Sequence, residues 1–479
     1  MRKLSILLSI VLVCAACGAS PGPADPADGA VSPADLAFLD TLQHRTFRFF
    51  WERANPENGL VPDRWPTPSF SSIAAVGFGL PAYAVGIERG WITRAEGADR
   101  VRTTLRFLWN APQGDAPAGV SGYQGFFYHF LDMRTGHRFE QVELSTIDTA
   151  LLMAGVLFCM EYFDGPDPVE AEIRALADSL YRRVDWAWML NENGRISMGW
   201  RPDRGFITYD WRGYNEAMVL LILALGSPTH PVPEDVWTTY TSTNAWGDYY
   251  GQEHVGFAPL FGHQYSHIFI DFRGIQDAYM RARGLDYFEN SRRATLAQRQ
   301  YAIDNPMGWR GYGADVWGLT ASDGPADATL PVDGTPRRFY SYTARGASHT
   351  DVRDDGTLAP TALGGSIPFA PPQTIRALRA IRDRYGAAIW GEYGFLDAFN
   401  PTFQWTDVPL KHGRVIPGLG WFDTDYLGID QGPIVLMAEN YRSGLIWERL
   451  RQNPYIVRGL RRAGFAGGWL DGADVAARS

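Results

Sequence analysis

Cysteine and lysine are nearly missing from this chain. Its three cysteines are Cys14, Cys17 and Cys159. The first two lie at the extreme N-terminus, so the body holds one thiol, within the apolar stretch LLMAGVLFCMEYF (151–163). One thiol closes no internal disulfide, and stability must come from packing. Lysine occurs only as Lys3 and Lys411; the other basic residues are arginines, scattered along a chain of net charge −9. That distribution excludes the basic stripe of a nucleic-acid-binding protein. The one GxSxG, GASPG (18–22), lies in a Pro- and Ala-rich stretch near the N-terminus, no Walker loop is present, and the Gly-rich patches lack a strand-then-helix setting. Serine hydrolysis and phosphoryl transfer are therefore unsupported. His263 and His267, four apart, have no accompanying HExxH, and two imidazoles do not complete a metal site. No metal and no cofactor is expected.

Arg2 and Lys3 precede the apolar run 4–16, then Cys17 and Gly18. A positive start, a short apolar core and small residues at a cleavage point form a secretory signal over 1–16. The CAAC ending at Cys17 is similar to a bacterial lipobox, which makes Cys17 a lipidation candidate, with a membrane anchor and a periplasmic or outer-membrane location. Cys14 stands where leucine is usual, so ordinary cleavage is the alternative. Residues 17–32, rich in Pro, Ala, Gly and Asp, form a tether. The body, 33–479, contains no break that demands a second domain.

What is abundant is apolar helix and aromatic loop. Hydrophobic residues make up 46 % of the chain, enough for a large core. Periodicity and caps predict helices near 33–54, 71–90, 93–110, 144–163, 168–190, 215–226, 233–243, 264–283, 287–304, 371–389 and 432–451. Segments 194–200 and 205–211 could pair as one short hairpin. Many of the helices are apolar on more than one face, which suggests two layers with the inner one buried all round. The all-α class follows, as an (α/α)6 toroid with long structured loops; a helix bundle is the alternative. Loops 110–143, 244–263, 305–370 and 390–431 carry Gly, Trp, Tyr, Asp and His, and long structured loops commonly carry function.

Two glutamates stand where aromatic loop passes into apolar helix. Glu143 comes just before LSTIDTALLMAGVLF (144–158), and Glu216 opens the helix NEAMVLLILALG (215–226). Acids also favour helix starts for dipole reasons alone. In apolar surroundings, however, a carboxyl stays protonated and can act as a general acid, and paired carboxyls cleave glycosidic bonds. Asp148 doubles as a capping residue for Ser145, and Asp132 lies in the turn FLDMRTG. Loop rings at Phe127, Tyr128, Trp211, Tyr214, Tyr312, Trp317 and Trp405 either fill the core or present faces to a sugar.

Ten ordered blocks between about 36 and 450 carry a wider resemblance. They include YQGFFYHFLDMRTG (123–136), ELSTIDTALLMAG (143–155), WRGYNEAMVLLILALGSPTHP (211–231), LFGHQYSHIFIDFRGI (260–275), GYGADVWGLTASDGP (311–325), YGFLDAFNP (393–401) and GIDQGPIVLMAEN (428–440). Together they resemble the bacterial glucoamylase-like family of β-1,2-glucan-active enzymes, glycoside hydrolase family 144. The resemblance implies an (α/α)6 toroid, β-1,2-glucan or its oligosaccharides as substrate, endo or sophorose-releasing action, and inversion at the anomeric carbon. It maps the site acids onto Glu143 and Glu216, with Asp132, Glu140 or Asp148 assisting. The apolar setting favours Glu216 as the acid, with water activated near Glu143. Arg134, Asn215, His263, Gln264 and Arg273 would join the rings in holding the glucan. Alternatives are a transglycosylase, a polysaccharide lyase on the same fold, and a surface lipoprotein that binds glycan without cutting it.

Overall fold

The computed structural model describes residues 29–473. The signal, the lipidation candidate Cys17 and most of the tether lie outside the described residues.

Among the described residues, twelve helices build two layers. In chain order they are α1 (Pro33–Arg53), α2 (Ile73–Glu88), α3 (Arg94–Asn110), α4 (Thr146–Tyr162), α5 (Pro168–Arg183), α6 (Met218–Gly226), α7 (Tyr265–Phe269), α8 (Tyr287–Asp304), α9 (Pro360–Gly364), α10 (Pro371–Tyr385), α11 (Gly428–Arg442) and α12 (Pro454–Arg462). The inner layer is α2, α4, α6, α7, α9 and α11, with α4 lying between α2 and α6, and α11 touching α2, α7 and α9. Outside it, α1 covers α2 and α11, α5 covers α4, and α12 covers α6. This is an (α/α)6 toroid.

Local chemistry explains the boundaries. Ser32 and Asp35 close a capping box at α1, and Thr93 and Glu96 do the same at α3. Every residue of α6 is buried, as expected for a helix apolar on all faces. The innermost crossing depends on glycine. A Cβ on Gly155 of α4 would stand 2.0 Å from the Gly77 carbonyl oxygen of α2, so the two backbones meet with no side chain between them.

Three differences from the sequence expectation have physical causes. Helix α6 starts at Met218, not 215, because Asn215 Oδ1 accepts from Ala217 N–H at 3.0 Å and turns the chain before the helix begins. The helix expected over 264–283 is broken after α7: Asp271 pairs with Arg273 and Arg451, and Gly274 adopts φ +74°. Helix α9 falls inside the stretch assigned to loop, since five residues show no periodicity. The loops themselves carry several short antiparallel pairs. Gly205–Phe206 pairs with Gly199–Arg201, which in turn pairs with Leu144–Ser145.

Candidate active site

The N-terminal mouth of α4 is assembled by three backbone crossings. His129 N–H donates to the Glu143 carbonyl at 2.9 Å, and Ile73 N–H donates to the His129 carbonyl at 3.3 Å. Pairing of Leu144 with Trp200 then brings Arg201 alongside Glu143. On this frame His129 Nδ1 lies 3.0 Å from Glu143 Oε1, and its Nε2 lies 3.5 Å from Asp148 Oδ2. Arg201 Nη2 reaches Glu143 Oε2 at 3.1 Å. Asp148 also accepts the Ser145 hydroxyl, the cap of α4.

The charges follow from these contacts. The His129 hydrogen bond, then its charge and the Arg201 contact, overcome burial and hold the Glu143 carboxyl down at about 2. Burial opposes protonation of His129, but the charge of Asp148, the Glu143 hydrogen bond and Asp63 outweigh it and raise the imidazole to about 9. This wall is therefore an imidazolium flanked by carboxylates.

Glu216 is the opposite case. Its Oε2 is cut off from solvent and has no hydrogen-bond partner. Burial, with a further push from the Asp148 charge, raises its carboxyl to about 7. Its backbone is fixed from α7: Ser266 Oγ donates to the Glu216 carbonyl at 2.7 Å and accepts from Val219 N–H at 2.9 Å.

A second acidic wall comes from loops far along the chain and from the start of α11. Asp323, Asp397, Asp423, Asp425 and Asp430 are all buried. Arg64 Nη1 bonds Asp323 at 2.9 Å and Asp425 at 3.3 Å. Burial and neighbouring acids push Asp397 and Asp423 well up. Burial raises Asp430 to about 7, and its carboxyl is hydrogen-bonded to that of Asp397. Two carboxyls in such contact hold one proton between them. Asp323, Asp397 and Asp423 each offer an oxygen within 4.8 Å of the others. These oxygens are of the type a hard cation takes, although Arg64 and the Asp397–Asp430 proton already offset part of the charge.

Tyr265 feels the charges of both walls. It is buried, and its hydroxyl is raised by that burial and by the charges of Asp430, Glu216 and Asp148 together. Tyr342 flanks the second wall: 58 % exposed, it feels the charges of Asp430, Asp397, Asp323 and Asp63. Glu216 thus feels the α4 wall through Asp148, while Tyr265 feels both Glu216 and Asp430 at the start of α11.

Several residues expected at the site are placed elsewhere. Asp132 accepts from Arg134 N–H, Thr135 N–H and the Thr135 hydroxyl, closing a surface turn, with Arg134 exposed beside it. Glu140 is exposed as well. Phe127, Tyr128 and Trp317 are fully buried core residues. Trp211 is buried and donates to Thr146 Oγ1 at 2.9 Å. Tyr214 stacks on Tyr287, and Asn215 is held by the Tyr240 hydroxyl. His263 bonds the Phe257 carbonyl while His267 bonds Ser291, so the two imidazoles diverge. Gln264 ties α7 to the Ala362 carbonyl of α9. Arg273 pairs with Asp271 over the Trp447 ring, Tyr312 donates to Asp354, and Trp405 packs on Phe403. All of these support the architecture rather than enter the cluster. Conversely, His129, Asp63, Arg201, Tyr265, Tyr342 and the aspartates of the second wall carry no sequence signal of their own; only the fold assembles them.

Residues 208–454 match the model of the Glycoamylase family, described as "Putative glucoamylase". The chain belongs to this family. A structure of a "putative glucoamylase" from Bacteroides uniformis is 33 % identical, with TM-score 0.76, over 92 % of this chain and 100 % of that one. An endo-β-1,2-glucanase from Chitinophaga pinensis, in complex with sophorotriose and glucose, is 28 % identical with TM-score 0.77, over 91 % of this chain and 100 % of that one. An exo-β-1,2-glucooligosaccharide sophorohydrolase from Parabacteroides distasonis is 30 % identical over 462 residues. That match takes in 89 % of this chain and 58 % of the relative, so the family member described here spans little more than half of that protein's length.

Proposed function

We propose that the chain is a glycoside hydrolase that cleaves β-1,2-glucan or its oligosaccharides, with Glu216 as general acid. One observation carries this: a carboxyl raised to about 7, with a partnerless buried oxygen, under the charge of Asp148. Such a group is protonated near neutrality and has a proton to give. The names of the relatives support the choice of linkage.

Glu143 suits the base role poorly, because the His129 and Arg201 contacts that hold it near 2 also remove its basicity. Its fixed negative charge suits stabilisation of the positive character that develops at the anomeric carbon. The Asp397–Asp430 pair is the better base: it retains one charge after sharing a proton, and Asp430 lies near 7. In this scheme Glu216 protonates the leaving glycosidic oxygen. Water attacks from the other face of the sugar, loses its proton to the pair, and the anomeric centre inverts.

Incubation with linear β-1,2-, β-1,3- and β-1,4-glucans, followed by proton NMR of the products, tests the proposal. New reducing ends from the β-1,2 polymer alone, first seen as the α-anomer, are expected. An initial β-anomer would contradict inversion, and no cleavage would contradict the activity. Sophorose as sole product marks exo action, and a ladder marks endo action.

A further inference from the structure

His129 touches two acids of the α4 wall, and its neighbours leave it little freedom. Its Nδ1 is 3.0 Å from Glu143 and its Nε2 is 3.5 Å from Asp148, so both ring nitrogens face carboxylates. The ring stacks on Phe130 with centroids 4.0 Å apart and planes 25° from parallel. Its main chain is bonded on both sides, to Glu143 and to Ile73. A neutral imidazole could hydrogen-bond Glu143 through Nδ1 alone; an imidazolium does so and also brings a positive charge to within 3.5 Å of Asp148.

We propose that His129 is a positioning residue. As an imidazolium bridge it fixes Glu143 and Asp148 in place and keeps Glu143 ionised. The inference rests on the hydrolytic scheme above and adds a residue to it. Neither His129 nor its partners need move a proton during turnover; the bridge sets the field in which Glu216 works. The charged groups facing this bridge are Glu143 and Asp148 at the entry to α4, Arg201 on the paired strand, which reaches Glu143, and Asp63 with its neighbour Arg64. Three carboxylates around one imidazolium account for its retention of a proton, and Arg201 supports only one of the three.

The scheme gives His129→Gln a particular signature. Glutamine can still donate one hydrogen bond, so packing and the contact to Glu143 survive, but the positive charge is gone. Glu143, whose carboxyl His129 holds down, then becomes easier to protonate. The kcat/KM profile of the variant on β-1,2-glucan should therefore lose activity on its acid side at a pH at least one unit higher than the parent. His129→Lys, which restores a cation, should recover part of that loss. A purely structural role would lower activity equally at every pH.

A second readout needs no activity. In nitrogen–proton NMR spectra of the full chain, the imidazole signals absent from His129→Gln should be those of a doubly protonated ring at pH 7.5. A neutral ring at that pH would overturn the inference even if the enzyme cleaves β-1,2-glucan. A doubly protonated ring in a chain with no β-1,2-glucanase activity would uphold the bridge and overturn the activity. An acid limb unchanged in His129→Gln would also overturn the inference.

Discussion

Ser266 Oγ donates to the main-chain carbonyl of Glu216 at 2.7 Å, so the hydroxyl of one inner helix fixes the acid at the mouth of the next. The same oxygen accepts from Val219 N–H, which has no partner inside α6. In Ser266→Ala both bonds are lost within a buried setting. The cost should be about 1–3 kcal/mol, read from denaturant midpoints. Activity should fall roughly tenfold as Glu216 loses its fixed position. Unchanged activity would mean that the carboxyl is positioned by other contacts.

The raised carboxyl of Glu216 makes a prediction about stability with a definite sign. Its folded value, about 7, lies above the ordinary glutamate value of 4.5. The folded state therefore binds this proton more tightly than the unfolded state does. Stability from this group is complete below 4.5 and is lost as pH rises through 7. Glu216→Gln removes that loss. The variant should match the parent in thermal midpoint at pH 4 and exceed it at pH 8. A variant less stable at pH 8 would show that the charged carboxylate is a welcome member of the fold.

Asp148 adds to the upward push on Glu216. Asp148→Asn keeps the shape and removes the charge, so the alkaline limb of kcat/KM should move to lower pH by roughly one pH unit or less. A limb that stays put would separate it from Glu216.

Gly155 tests the architecture rather than the chemistry. Its missing side chain lets α4 lie against the Gly77 carbonyl at a spacing no Cβ could share. Gly155→Ala should cost about 1–3 kcal/mol or more, since backbone rather than a flexible side chain stands in the way. Equilibrium unfolding measures this, and a neutral result would mean that the inner layer can spread.

The sequence made the architecture legible and the site only half so. Caps such as Ser32–Asp35 and runs such as α6 are local signals, and they place the helices to within a few residues. Glu216 and Glu143 were legible because each stands at the junction of loop and apolar helix. The rest of the cluster depends on long-range meetings. His129 reaches Glu143 through short strand pairings, and Arg64 reaches Asp323 and Asp425 across hundreds of residues. The same fact explains the misplaced aromatics. Phe127, Tyr128 and Trp317 read as loop rings, yet the loops that carry them fold inward and bury them. Glycine-flanked rings in sequence do not tell which way a loop turns.

The most direct test compares two substrates in Glu216→Gln. On β-1,2-glucan, whose leaving sugar needs a proton, turnover should fall by roughly two to four powers of ten. On a β-1,2-linked glucoside with an acidic aryl leaving group, which departs unaided, the loss should be far smaller. Equal losses on both, or near-normal turnover of the glucan, would contradict Glu216 as the proton donor.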